Sequence, residues 1–190
     1  MRAVEQGWQA YKPSLATFKQ QRIREFFQEP ASKGATAMLE AVPRHWYSNT
    51  YVILQDGQEL AEIRRGLLRE QGSIVVEGQA CTIRRAGLTG PFLYEVDGAP
   101  LAQAMSHSVR RRFEIDYAGQ RYSLRAQSLW TRTFLLERNG EVLGTIRPRS
   151  LWSRRAIIEI PGFPLPIVLF FFWLVMIQWQ REQAATASGA

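Results

Sequence analysis

Arginine is the residue type with the most chemistry to offer in this chain. From Trp46 onward all seventeen basic residues are arginine, against thirteen acidic ones, a balance of +4. They gather at Arg64-Arg65-Arg69, Arg84-Arg85, Arg110-Arg111-Arg112 and Arg147-Arg149-Arg154-Arg155. A guanidinium presents a planar fork of donors that grips phosphate oxygens two at a time. Arg110, Arg111, Arg112, Arg147, Arg149, Arg154 and Arg155 are therefore the candidate sites for anionic headgroups, and a solvated, charged face is the competing reading. Trp46, Trp130 and Trp152, which stand near arginines, could stack nucleic-acid bases; their place at strand starts favours rim packing.

Constellations for catalysis are thin. His45 and His107 are the only histidines, and Asp56, Asp97 and Asp116 the only aspartates. Asp56 and Asp97 are accounted for by turns, and no zinc-ligand spacing, Gly-rich phosphate loop or nucleophile elbow occurs. Cys81 is the single cysteine, so no internal disulfide is possible, and within a strand it reads as a buried small hydrophobe. The expectation is a non-enzymatic protein with no metal and no cofactor.

The elements that must position these residues follow from composition and spacing. At 190 residues, with 46% hydrophobic and 22% charged residues, the chain suits one sizeable domain plus an arm. A net charge of +7 points to anionic partners without choosing among phosphate, nucleic acid and lipid. Met1-Arg2-Ala3 leads into no apolar run, so no cleaved secretory signal is expected.

Residues 35–162 repeat. Asp56-Gly57, Asp97-Gly98 and Asn139-Gly140 are spaced 41 and 42 residues apart, and Glu77-Gly78, Ala118-Gly119 and Pro161-Gly162 fall between them. Asp-Gly and Asn-Gly tolerate the positive φ angles of a two-residue type I′ turn, so the unit is two hairpins, used three times. Strands are predicted at Tyr51–Gln55, Gln58–Arg64, Ser73–Glu77, Ala80–Arg85, Phe92–Val96, Ala99–Met105, Arg111–Tyr117, Gln120–Ala126, Arg132–Arg138, Glu141–Arg147 and Arg155–Ile160. One more at about Ala35–Val42 brings the count to twelve. A half-repeat echo, Ser128-Leu-Trp-Thr-Arg132 against Ser150-Leu-Trp-Ser-Arg154, lies between hairpins.

Ile160 to Gln180 is twenty-one residues without a charge. Pro161, Pro164 and Pro166 shorten its helix to 165–180, apolar on every face, so it must be covered all round. Strand alternation puts Ala61, Ala102 and Gly144 on the same face as Ile63, Ala104 and Ile146. Small residues there leave room for something bulky. A barrel of about twelve strands encloses more than its own side chains fill, so the helix is expected inside, with Ala61, Ala102 and Gly144 facing it. The fold class is mainly β: a closed barrel of three four-strand repeats around a central C-terminal helix. The rival is a tail-anchored protein spanning a bilayer with residues 160–180.

Hairpins of the form aromatic-x-x-x-x-[Asp/Asn]-Gly-x-x-Leu-[Ala/Gly]-x-[Ile/Ala], as in Tyr51–Ile63 and Phe134–Ile146, followed by a Phe/Ile/Leu-rich helix, resemble the tubby C-terminal-like superfamily over residues 35–182. Its phospholipid-scramblase-like and LURP-one-related branches are most similar. The resemblance implies a twelve-stranded barrel around a hydrophobic helix and, for some members, phosphoinositide binding. No stretch matches the tubby phosphoinositide-binding pattern, and no cysteine-rich or calcium-binding segment is evident, so no binding residue carries over. The resulting expectation is a monomeric, cytoplasmic binding module, peripheral at an anionic phospholipid surface; nucleic acid and protein are the other partner classes. Residues 1–34 read as an arm with a helix at 14–28 capped by Ser14, and 183–190 as a disordered tail.

Overall fold

In a computed structural model of the chain, described for residues 38–66, 70–107, 110–150 and 153–188, twelve antiparallel strands close into one barrel. They are β1 (Leu39–Pro43), β2 (Thr50–Gln55), β3 (Gln58–Arg65), β4 (Gly72–Val76), β5 (Gln79–Arg85), β6 (Phe92–Val96), β7 (Ala99–His107), β8 (Arg112–Tyr117), β9 (Gln120–Ala126), β10 (Phe134–Arg138), β11 (Glu141–Pro148) and β12 (Ala156–Glu159). Each pairs with its neighbour in sequence, and β1 closes the ring on β12, with Leu39 opposite Ile158 and Ala41 opposite Ala156. The arm and its helix at 14–28 lie outside the described residues.

Connections alternate between the two ends. At one, the turn end, both central residues of each hairpin have positive φ: Asp56/Gly57, Glu77/Gly78, Asp97/Gly98, Ala118/Gly119 and Asn139/Gly140. These are type I′ turns, whose twist matches that of the strands they join. The three Asp/Asn-Gly hairpins also share a β-bulge. Ile53 pairs with Ala61 while Leu54 pairs with Glu59, and the same shift recurs at Tyr94/Glu95 and Leu136/Glu137. The residue left over is the repeated leucine, Leu60, Leu101 or Leu143, and each packs partly buried against the core. At the other end, the rim, longer linkers join β1 to β2, β3 to β4, β5 to β6, β7 to β8, β9 to β10 and β11 to β12.

Gly162, at φ 79, turns the chain from β12 into the lumen, where α1 (Leu165–Ser188) begins. Pro166 sits in its first turn, where a missing N–H costs nothing, and the Pro164 carbonyl accepts from the Ile167 and Val168 amides. Every residue from Ile167 to Ile177 is at most 3% exposed. The barrel wall supplies the cover: Tyr94 stacks on Phe170 at 5.0 Å, Phe92 meets Trp173 edge-on at 5.4 Å, and Tyr51 meets Phe172 at 5.7 Å. Fully burying such a side chain contributes about 1.5–3 kcal/mol. Among the described residues no helix is long and apolar enough to cross a membrane.

Two expectations need correction. The helix does not stop at Gln180: it runs on to Ser188, so most of the supposed disordered tail is helical. Leaving the lumen removes the apolar covering, not the backbone hydrogen bonds, and Gln183-Ala184-Ala185-Thr186-Ala187 holds good helix formers. Ala61 and Ala102 are buried on the inner face, each 5% exposed, but Gly144 is only half-buried. A Cβ there would lie 2.5 Å from the Glu159 carbonyl oxygen and 2.8 Å from Ile160. Its smallness makes room for the end of β12, not for α1.

Candidate functional site

The wall and the rim use arginine differently. On the outer wall, arginines pair with carboxylates across neighbouring strands: Arg84 holds Glu95 with Nε at 3.0 Å, Arg125 holds Glu137 with Nε at 2.8 Å, and Arg121 meets Asp116 at 3.1 Å. Such pairs are the side-chain ladder of an antiparallel sheet. Arg147 belongs here, with Glu159 at 3.6 Å, while Arg112 meets Glu114 of its own strand at 3.5 Å.

At the rim, arginines hold up loops. Arg111 uses all of its donors: Nε and Nη2 on the Glu182 carboxylate at 2.7 and 3.0 Å, Nη1 on the Ser128 and Leu129 carbonyls at 2.9 and 3.0 Å, and Nη2 again on the Thr131 carbonyl at 3.1 Å. Its backbone is left-handed, φ 48, an uncommon conformation for a side chain of this size. Arg154 donates to the Trp46 carbonyl and, at 2.7 Å, to that of Ser48. Arg85 donates to the Gly90 carbonyl and pairs with Glu70, which also takes Arg181 of α1. The same guanidiniums roof the core. Arg85 and Arg181 lie over Phe92, Arg111 over Phe134, Arg154 over Tyr51, and Arg132 over Trp179 at 4.9 Å.

The seven candidate arginines therefore separate. Arg111 and Arg154 are clamps: every donor of Arg111 is held by carbonyls or Glu182, and Arg154, itself exposed, gives Nη1 and Nη2 to two loop carbonyls, while Arg112 and Arg147 belong to the wall. Arg110 is exposed, and among the described residues no carboxylate pairs with it. Arg149 and Arg155, each about half exposed, share the single carboxylate of Glu40, so this trio stays net positive. The described rim linkers hold Arg44, Arg110, Arg111, Arg132, Arg149, Arg154 and Arg155 against Glu70 alone, while the turn end presents Asp56, Glu77 and Asp97 and no base at its turn dipeptides. The molecule is polarised along its axis.

A second set of residues was missed by sequence reasoning. Of the large hydrophobic side chains that stand exposed, the five most exposed, Trp46, Tyr47, Leu88, Leu129 and Trp130, all belong to rim linkers, with Trp130 94% and Leu88 93% exposed, while Met38, Met105 and Val142 elsewhere are about half exposed. Rim packing was expected of Trp46, Trp130 and Trp152; Trp152 lies outside the described residues, and the loops turn the other two outward, while the carbonyls of Trp46 and of Leu129 and Thr131, either side of Trp130, face the clamps. The signal available beforehand was the spacing, since Trp46 and Trp130 stand two repeats apart; the linker of each is closed by an arginine from a neighbouring linker, Arg154 and Arg111.

Among the described residues no group of three or more His, Cys, Asp or Glu could hold a metal. Burial pushes the Cys81 thiol up, away from the reactive thiolate, and also pushes up Tyr94, whose ring packs beside it. The chain matches no family model, no curated protein and no solved structure.

Proposed function

We propose that this protein is a binding module that attaches reversibly to anionic phospholipid surfaces through its rim. The observation that carries the reading is the charge polarity: arginines concentrate in the rim linkers and acids at the opposite turns. Such a dipole orients the barrel rim-first towards an anionic surface before contact. Arg110, Arg149 and Arg155 are the headgroup ligands, because their guanidiniums are exposed and undercompensated. Each basic residue near an anionic bilayer contributes about 1 kcal/mol, and the attraction fades within a Debye length. The resemblance to the tubby C-terminal-like superfamily, some of whose members bind phosphoinositides, supports the same reading.

The test is co-sedimentation with phosphatidylserine-containing, phosphoinositide-containing and neutral phosphatidylcholine vesicles at low and high salt. Binding to the anionic vesicles, weakened by Arg110→Glu with Arg155→Glu but not by Glu77→Lys at the turn end, is the expected result. Retention on single-stranded RNA that anionic vesicles fail to displace, or no binding to any vesicle at low salt, overturns it.

A further inference from the structure

Trp46, Leu88 and Trp130 stand 42 residues apart in the sequence, so the exposed apolar tip is part of the internal repeat. The barrel carries six rim linkers, and among the described residues these three tips fall on every second one, between β1 and β2, β5 and β6, and β9 and β10. They form a tripod around the place where α1 leaves the lumen. Tyr47 lies beside Trp46 at 69% exposure and Leu129 beside Trp130 at 77%. Isolated exposed apolar residues are ordinary on a protein surface, as Met38 and Val142, about half exposed near the turn end, show; that the five most exposed large hydrophobic side chains all stand at the arginine-rich end is not.

The tips are also held in place. The linkers close through backbone bonds, Arg44 N–H to the Thr50 carbonyl at 2.9 Å, Ala86 to Pro91 at 2.9 Å and Gln127 to Thr133 at 2.8 Å. Arg154, Arg85 and Arg111 then brace them from the adjacent strand ends. Little ordering entropy remains to be lost on docking. Between the tips, the emerging turns of α1 present Gln183 to Ala187, without a charge, and the last charged pair, Arg181 and Glu182, is tied to Glu70 and Arg111.

Building on the headgroup reading above, we propose that these three tips insert into the interfacial layer of the anionic bilayer, so that the barrel docks end-on with its axis along the membrane normal. Tryptophan and tyrosine are at home at the depth of the headgroups, and apolar side chains at that boundary bury about 5–10 Å deep. Base stacking is the poorer match, since Leu88 and Leu129 have no ring and the tips sit apart on separate loops. A fluid interface accommodates three separated tips; a folded partner would need three pockets in register. Charge and insertion together make the two-signal attachment that stable peripheral binding requires.

The experiment uses the full chain with vesicles of phosphatidylcholine and phosphatidylserine in which the phosphatidylcholine carries bromine on its acyl chains. Vesicle-bound wild type should show bromine quenching of tryptophan emission, most of it lost in Trp46→Phe with Trp130→Phe. Leu88→Ser with Leu129→Ser should weaken binding by roughly tenfold or more. Bound protein whose Trp46 and Trp130 emission is not quenched overturns insertion while leaving headgroup binding in place. No sedimentation with anionic vesicles removes the headgroup reading itself. Without vesicles, acrylamide should quench Trp130; shielding there would mean that another segment or a second copy covers the tip, and overturns the proposal.

Discussion

At the turn end, neighbouring strands are joined by backbone geometry alone: two residues, both with positive φ, and no side-chain support within 4 Å of a Cβ placed at Gly57, Gly78, Gly98, Gly119 or Gly140. At the rim the same task falls to side chains, with Arg85, Arg111 and Arg154 spending their donors on loop carbonyls and their flat faces on core aromatics. A tight turn is cheap but rigid and short, and it offers nothing to a partner. A longer linker costs side-chain order, and in return it can display residues away from the barrel. The difference between the ends is thus a division between closure and presentation.

The largest expected effect comes from removing a clamp. Arg111→Met leaves Glu182 without its bidentate partner and three carbonyls without their donor, in a site where the arginine side chain is 13% exposed. The cost should be about 3 kcal/mol, read as a lower urea midpoint at unchanged slope. Arg111→Lys should recover little of it, since an ammonium cannot fork. Unchanged stability in Arg111→Met would break the contrast, leaving the rim as dependent on backbone as the turns.

Next is the place where one repeat departs from its siblings. Gly144→Ala pushes a methyl against the Glu159 carbonyl and Ile160, and should cost between about 1 and 3 kcal/mol. Equal stability, measured by thermal melting, would return Gly144 to the role expected from the repeat.

A smaller effect isolates backbone from side chain. Gly98 at the turn end and Gly87 in a rim linker have φ of 76 and 74 with nothing within 4 Å of a Cβ. Each mutation to Ala should therefore cost about 1 kcal/mol, from conformation alone. Matching losses in the two variants would sharpen the comparison by assigning what distinguishes the ends to the arginines.

The smallest effect is a pH dependence at the turn end. Hydrogen bonds from Arg121, and then from Gln103, hold the Asp116 carboxyl below the usual carboxylate range. A lowered folded value means stability that is present above the unfolded value of about 3.9 and is lost as pH falls below it. Asp116→Asn should flatten that acid slope slightly and leave neutral stability nearly unchanged, because the site is open to solvent. A slope steeper than wild type would reverse the sign of the argument.

The barrel was legible because three of its devices are local. Asp-Gly and Asn-Gly at a spacing near 41 residues announce type I′ hairpins, alternation assigns faces, and a helix apolar all round demands an enclosure. The bulge at Leu60, Leu101 and Leu143 was not legible, since a repeated leucine reads the same whether paired or left over, and only register shows which. The arginines were legible as a population but not as individuals. Arg110 and Arg111 are neighbours in sequence, yet one is exposed at the rim and the other is enclosed by Glu182, 71 residues away, and by carbonyls of another loop.

What the amino-acid sequence determined by itself is whatever depends on near neighbours: turn types, strand periodicity, the apolar length of α1 and the strongly basic balance. Tertiary structure decided which guanidiniums are spent on carbonyls and carboxylates, where small residues make room, and that Trp46, Leu88 and Trp130 share one end of the barrel. Those outcomes are set by ring closure, because which residues meet at a rim depends on strand count and connection order, and no local window of the chain contains either.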